Sequence, residues 1–69
     1  MGTRYALIAL RGTRTQREMA DRYDVSVLTW QNWERGRTPP HKVFRQRLAR
    51  EAGKPEAELF PETVKEDLT

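Results

Sequence analysis

Apolar residues recur along this chain at intervals of three and four, a spacing typical of short amphipathic helices. The clearest example follows Thr15, because Thr15 and Glu18 have the spacing of a capping box, in which each side chain bonds the other residue's backbone N–H. Met19, Ala20 and Tyr23 then lie close together on a helical projection. The pattern predicts a short helix that starts at this box and ends at Tyr23.

A second helix is predicted directly after a tight turn. Asp24 can form the corner, because Asp tolerates the left-handed conformation better than most residues. Ser26 is a favourable N-cap, and the helix is expected to run to about Arg35, with Gly36 as its stop. Residues 37–40 contain two prolines and are predicted to form a loop.

The second helix has two chemically different sides. At about 100° per residue, Trp30 and Trp33 lie close together and mark the buried side. Side chains able to contact DNA lie opposite them or at the flanks: Val27, Leu28, Thr29, Gln31, Asn32 and Arg35. One alternative is an ordinary solvated helix face, and another is a pair of exposed tryptophans that stack on single-stranded nucleic acid. The capped partner helix, the short turn and the basic flanks favour a DNA-binding helix with buried tryptophans.

The N-terminal region predicts one more helix. Residues 5–10 are mostly apolar, with Leu7 and Leu10 expected to face inward and either Tyr5 or Ile8 completing that face. The run is too short and too quickly polar for a signal peptide.

Two further helices are predicted after the proline loop. The segment from His41 to Ala52 ends at Gly53, and Pro55 suits the first turn of a short last helix that Pro61 stops. Apolar residues at helical spacing in the first of these helices, and in the last one, are expected to close the core: Phe44, Leu48, Ala52, Leu59 and Phe60. The chain is therefore predicted to be all-α.

The two helices around Asp24 and the loop after them carry a set of residues that match a known family in register: Gln16, Glu18, Met19, Ala20, Val25, Ser26, Trp33, Glu34, Arg35, Gly36, Arg37 and Pro40. With these residues the chain resembles the phage repressor and Cro type of helix-turn-helix, also called the XRE family, over about residues 4–61. The resemblance implies a compact bundle of about five short helices with the lambda-repressor-like fold. Residues 1–61 would form the DNA-binding domain, and residues 62–69 an acidic tail.

The resemblance also implies a role for individual residues. Positions that reach base edges in the family are occupied by Val27, Leu28, Thr29 and Asn32. Positions that contact the DNA backbone are occupied by Gln16, Arg35, Arg37, Thr38 and Lys42. Glu34 aligns with an acid that ties this helix to an arginine, for which Arg11 is the expected partner. Asp24 departs from the family's usual turn glycine, at a small cost in stability.

The chemistry of the side chains agrees with those roles. The Asn32 amide can form hydrogen bonds with N6 and N7 of one adenine at the same time, and Leu28 can contact a thymine methyl group. Partial burial of Leu28 against another helix or chain stays an alternative. For Gln31, a side chain that faces solvent or a phosphate is as well supported as one that contacts a base. Arg14 and Thr15, at the edge of the motif, are added to the candidate phosphate contacts.

Charge is distributed unevenly along the chain. The 69 residues include 13 Lys and Arg and 10 Asp and Glu, for a net charge of +3. Residues 1–50 hold eleven of the basic residues and four of the acidic ones. The basic part thus coincides with the predicted DNA-binding domain, as expected for an electrostatic footprint on DNA. Arg45 and Arg50 are instead expected to be ordinary solvated surface.

Several function classes find no support in the composition. The chain has one His and no Cys, and its carboxylates form no convergent pair, so we predict no enzyme, no metal and no cofactor. His41 is expected at a helix start, as a cap or a phosphate contact. No apolar run approaches the roughly 20 residues of a membrane span. Absence of cysteine fits a reducing compartment, and we expect a cytoplasmic protein.

We therefore predict a sequence-specific, repressor-like regulator that binds a double-stranded DNA operator, as a homodimer at least on DNA. The dimer surface is expected around Leu59, Phe60 and Val64. The main alternative is an antitoxin-like or regulatory module that uses the same fold to bind a protein partner. A second alternative is that the chain is the DNA-binding part of a longer repressor.

Overall fold

Five α-helices and no strand occur over residues 3–61, the range that this computed structural model describes. The helices are α1 (Tyr5–Arg11), α2 (Gln16–Arg22), α3 (Val27–Arg35), α4 (Lys42–Ala52) and α5 (Glu56–Leu59). This confirms the predicted all-α class. Contacts divide the chain into two units, residues 1–38 with α1 to α3 and residues 39–69 with α4 and α5. The predicted tail, residues 62–69, lies outside the described residues.

The turn between α2 and α3 forms as its sequence signals predict. The Thr15 hydroxyl accepts from the Glu18 N–H at 3.0 Å, and Glu18 Oε1 accepts from the Thr15 N–H at 3.2 Å, which completes the capping box. Ser26 caps α3 by accepting from the Thr29 N–H at 3.1 Å. Asp24 adopts the left-handed conformation at φ 56°, and Gly36 ends α3 at φ 75°.

The core of the first unit is aromatic. Tyr23 and Trp30 are almost fully buried, and their rings stack with centroids 5.7 Å apart. Trp33 is also buried and meets Trp30 edge to face at 5.8 Å. Met19 and Ala20, which were predicted to share one face of α2 with Tyr23, are also buried. Burial of both tryptophans excludes a stacking platform for single-stranded nucleic acid.

One side of α1 faces this core. Leu7 is fully buried, and Ile8 and Leu10 are half-buried. Tyr5, the other candidate for the inward face, is 75% exposed. The reason is helical geometry, because two residues span about 200° and turn Tyr5 away from Leu7.

Arg4 is a buried arginine, and no pattern in the sequence indicated its burial. Its backbone N–H donates to the Glu34 carbonyl at 2.7 Å. Its guanidinium Nη1 donates to the Trp33 carbonyl and, at 3.1 Å, to the Thr38 carbonyl. These carbonyls lie at and just beyond the end of α3, where a helix leaves acceptors without intrahelical partners. Arg4 therefore ties the start of α1 to the end of α3.

In the second unit, α4 carries the predicted apolar stripe. Leu48 is fully buried, Phe44 and Ala52 are half-buried, and Gly53 ends the helix at φ 67°. His41 stands at the N-cap, as expected, without a side-chain cap bond. None of the helices within residues 3–61 is both long and apolar enough to cross a membrane.

The expectation that Arg45 is solvated surface is wrong. Arg45 is 7% exposed, its Nη1 donates to the Pro40 carbonyl at 3.0 Å, and its Nε donates to Glu56 Oε1 at 3.4 Å. Arg45 lies three residues before Leu48, so helical geometry brings it to the same side of α4. Its aliphatic stem is buried there while its polar end finds acceptors. Arg50 is exposed, as predicted.

The predicted dimer surface is also corrected. Leu59 and Phe60 are 3% and 0% exposed within the single chain, so their side chains already have apolar surroundings and are not available to a second copy. Val64, the third residue of that prediction, lies outside the described range.

Candidate nucleic-acid interface

The two sides of α3 differ in exposure as the helical projection predicts. Trp30, Trp33 and Glu34 form the buried side. On the opposite side, which we call the outer face of α3, Leu28 is 62% exposed and Arg35 is exposed. Residues at intermediate exposure complete the predicted base-contacting set: Val27, Thr29, Gln31 and Asn32. Of the five predicted base-contacting residues, Leu28 is thus exposed and the other four are partly buried.

Glu34 anchors α3 from the buried side. Its carboxylate accepts from Arg11 Nε at 2.8 Å and from Arg11 Nη2 at 3.3 Å, which confirms the expected pairing of the two residues. The Trp30 indole N–H donates to the same carboxylate. The Glu34 side chain is only 5% exposed, whereas that of Arg11 is 23% exposed. One carboxylate therefore joins α1 to α3 and orients a core tryptophan.

Gln16, predicted to contact a phosphate, has two partners inside the protein. Its Nε2 donates to Glu34 Oε1 at 3.1 Å. Its Oε1 accepts from Gln31 Nε2 at 3.0 Å. Gln16 is the first residue of α2, so these bonds connect α2 to the buried carboxylate and to the outer face of α3. No sequence pattern indicated this bridge, because it depends on how the two helices pack.

The other predicted phosphate contacts in the first unit are accessible. Arg14, Arg35, Arg37 and Thr38 are exposed. The Arg37 backbone N–H donates to the Asn32 carbonyl at 3.0 Å, which fixes the chain just beyond α3. Thr15 is also exposed, but its hydroxyl serves the capping box.

Lys42 is the remaining predicted phosphate contact. It belongs to the second unit, where it is exposed and is the first residue of α4.

The buried polar side chains have hydrogen-bond partners. No buried side-chain nitrogen or oxygen within residues 3–61 lacks a hydrogen-bond partner. The same range contains no cluster of three His, Cys, Asp or Glu residues that could hold a metal ion. Of the buried polar residues, Arg4 and Glu34 bond groups on or next to α3, whereas Arg45 bonds Pro40 and Glu56.

Comparisons of this chain with protein-family models, with curated proteins and with solved structures found no match. The resemblance to the phage repressor and Cro type of helix-turn-helix therefore rests on the residues quoted for it and stays a prediction.

Proposed function

We propose that this protein binds double-stranded DNA in a sequence-specific manner and regulates transcription by occupying an operator. The single observation that carries the proposal is the outer face of α3. It presents hydrogen-bonding and apolar side chains at accessible positions, while Glu34 and two tryptophans fix the helix from behind. An α-helix fits the major groove of B-DNA, where every base pair offers a distinct pattern of donors and acceptors.

The side chains on the outer face favour A·T base pairs. Asn32 can accept from adenine N6 and donate to N7. Leu28, which is 62% exposed, can contact a thymine methyl group. Thr29 offers a methyl group and a hydroxyl, the latter 2.9 Å from the Ser26 hydroxyl. The proposed half-site is therefore rich in A·T pairs.

The exposed cations supply affinity without sequence preference. Arg14, Arg35 and Arg37 flank the motif, and Lys42 adds a fourth candidate phosphate contact. Each neutralised phosphate releases counterions, so binding weakens as salt rises. In helix-turn-helix proteins the first motif helix crosses the DNA backbone while the second enters the groove, and dimers use half-sites about one helical turn apart. We propose the same arrangement for α2, α3 and two copies of this chain.

Selection from random duplex DNA at moderate salt, followed by sequencing, tests this proposal. The expected result is an enriched palindrome with A·T-rich half-sites about one helical turn apart. Enrichment of a single half-site would support sequence-specific binding and contradict the proposed dimer. Failure of every sequence to enrich, with weak salt-sensitive binding to all DNA, would contradict the proposal.

Two variants then separate base contacts from phosphate contacts. Asn32→Ala should cost about 1–3 kcal/mol of binding free energy on the selected site and relax specificity at one position. Arg37→Ala should weaken binding to all sequences and reduce the slope of log K against log salt by about 1. Arg50→Ala is the matched control, because it removes an exposed arginine to which no DNA contact is assigned. Identical behaviour of the Asn32 and Arg37 variants would contradict the placement of α3.

A second candidate function is supported by the exposure of Leu28. A leucine that is 62% exposed at the centre of a polar helix face also suits a protein partner, such as the toxin of an antitoxin-like module. Leu28→Ser distinguishes the two functions. Loss of preference at one base position favours DNA binding, whereas unchanged DNA binding together with loss of a co-purifying protein favours the partner.

A further inference from the structure

Three side chains connect the buried side of α3 to its outer face. Glu34 Oε1 accepts from Gln16 Nε2 at 3.1 Å, and Gln16 Oε1 accepts from Gln31 Nε2 at 3.0 Å. We call this series of two hydrogen bonds, from Glu34 through Gln16 to Gln31, the amide relay. Glu34 is 4% exposed, while Gln16 and Gln31 are at intermediate exposure. The relay therefore starts at a buried charge and ends on the surface proposed to read DNA.

The Glu34 carboxylate determines the orientation of the side-chain amides of Gln16 and Gln31. An ionised carboxylate can only accept hydrogen bonds, so Gln16 must present its N–H groups to Glu34. That orientation turns the Gln16 carbonyl oxygen toward Gln31. Gln31 must then present an N–H group to Gln16, because two carbonyl oxygens do not bond each other. A glutamine side chain that could otherwise flip is thereby held in one orientation.

Gln31 keeps useful hydrogen-bonding capacity in this orientation. A carboxamide has two N–H donors and one carbonyl acceptor, and the bond to Gln16 uses one donor. The second donor and the oxygen remain, which is the pair that adenine N7 and N6 require. Gln31 lies beside Asn32 on the outer face, so the two amides can address neighbouring base pairs.

We infer that Gln16 is a positioning residue for base selection, which acts by fixing the orientation of the Gln31 carboxamide so that Gln31 reads adenine. The inference rests on the proposed function, since it assigns a reader and its support within the same DNA-binding face. Gln16 Nε2 keeps a second N–H group, so its predicted phosphate contact stays a separate prediction.

The test compares selection profiles of the full chain and three variants: Gln31→Met, Gln16→Met and the double variant. Methionine keeps the length of the side chain and removes its amide. Gln31→Met should lower the preference for A·T at one position of the site by about 5- to 150-fold. Gln16→Met should lower the preference at that same position by about 2- to 10-fold, the effect of one hydrogen bond, and leave the other positions unchanged. The double variant should match Gln31→Met alone.

The outcomes separate the inference from the proposed function. Equal loss of affinity for all sequences in Gln16→Met would overturn the inference and leave sequence-specific binding intact. An unchanged profile of Gln31→Met would do the same. Absence of enrichment with the unaltered chain would overturn both.

Circular dichroism confirms that each variant is helical before selection. If Gln16→Met does not fold, Gln16→Asn replaces it, because asparagine keeps a donor for Glu34 but is one methylene too short to reach Gln31 as well. The same loss at one position is then expected, and an unaltered profile would overturn the inference.

Discussion

Replacement of Glu34 by glutamine keeps the shape of the side chain and removes its charge, so it measures how much the buried carboxylate contributes to folding. Each carboxylate oxygen has two donors: Oε1 accepts from Arg11 and Gln16, and Oε2 accepts from Arg11 and Trp30. Whichever oxygen becomes an amide NH₂ group, two donors lose their acceptor. An unsatisfied buried donor costs about 1–3 kcal/mol.

The amide can keep its oxygen at the Oε2 position, where the fully buried Trp30 indole needs an acceptor, so its NH₂ group faces Arg11 Nη2 and Gln16. Gln16 can turn its own oxygen toward that group, whereas Arg11 loses a charged acceptor, so the expected loss is about 1–3 kcal/mol. A chain of 69 residues has a total stability of about 3–10 kcal/mol, so Glu34→Gln should remove a large part of it. Urea denaturation followed by circular dichroism at equilibrium gives the free energy of unfolding.

Glu58→Gln is the matched control. It makes the same chemical change in an exposed pair, in which Lys54 Nζ lies 3.8 Å from Glu58 Oε1 and both side chains are about half exposed. Exposed pairs of this kind contribute about 0–1 kcal/mol. A loss for Glu34→Gln no larger than that of Glu58→Gln would refute the reasoning that the carboxylate holds α1, α2 and α3 together.

Three further changes test the packing and the turn. Trp33→Ala should cost about 3–5 kcal/mol in chemical denaturation, since it leaves a cavity beside Trp30, and a loss under about 1 kcal/mol would show that Trp33 is not core. Asp24→Gly should raise the stability by up to about 1 kcal/mol, because glycine adopts a φ of 56° without steric cost, and a lower melting temperature would contradict this. Arg45→Met should lower the free energy of unfolding by about 1–3 kcal/mol, because it removes the bonds to Pro40 and Glu56. Arg50→Met, at an exposed position, should change it by no more than about 0.5 kcal/mol. Equal effects of the two changes would contradict a structural role for Arg45.

Local signals in the sequence predicted much of the first unit. The capping box at Thr15, the corner at Asp24 and the left-handed stop at Gly36 all depend on interactions within a few residues. Burial of Trp30 and Trp33 followed from helical spacing alone. The pair of Arg11 and Glu34 was expected from the family resemblance, and the bonds between them confirm it.

Features that depend on the packing of distant residues were not predicted. Arg4 bonds carbonyls 29 and 34 residues away, and a count of charges cannot distinguish such an arginine from one in solvent. Arg45 could have been recognised, because it shares the helical spacing of Leu48. The bridge made by Gln16 follows from the way α2 and α3 meet, which no local pattern encodes.

The location of the tryptophans makes the two units optically distinct. Both of the chain's tryptophans, Trp30 and Trp33, lie in residues 1–38, so intrinsic tryptophan fluorescence reports on that unit, whereas far-ultraviolet circular dichroism reports on all five helices. Coincident unfolding curves from the two signals would indicate one cooperative transition. A fluorescence transition at a different urea concentration would reveal that the first unit melts separately from α4 and α5. The unaltered chain therefore carries its own reporter of cooperativity, without an added dye.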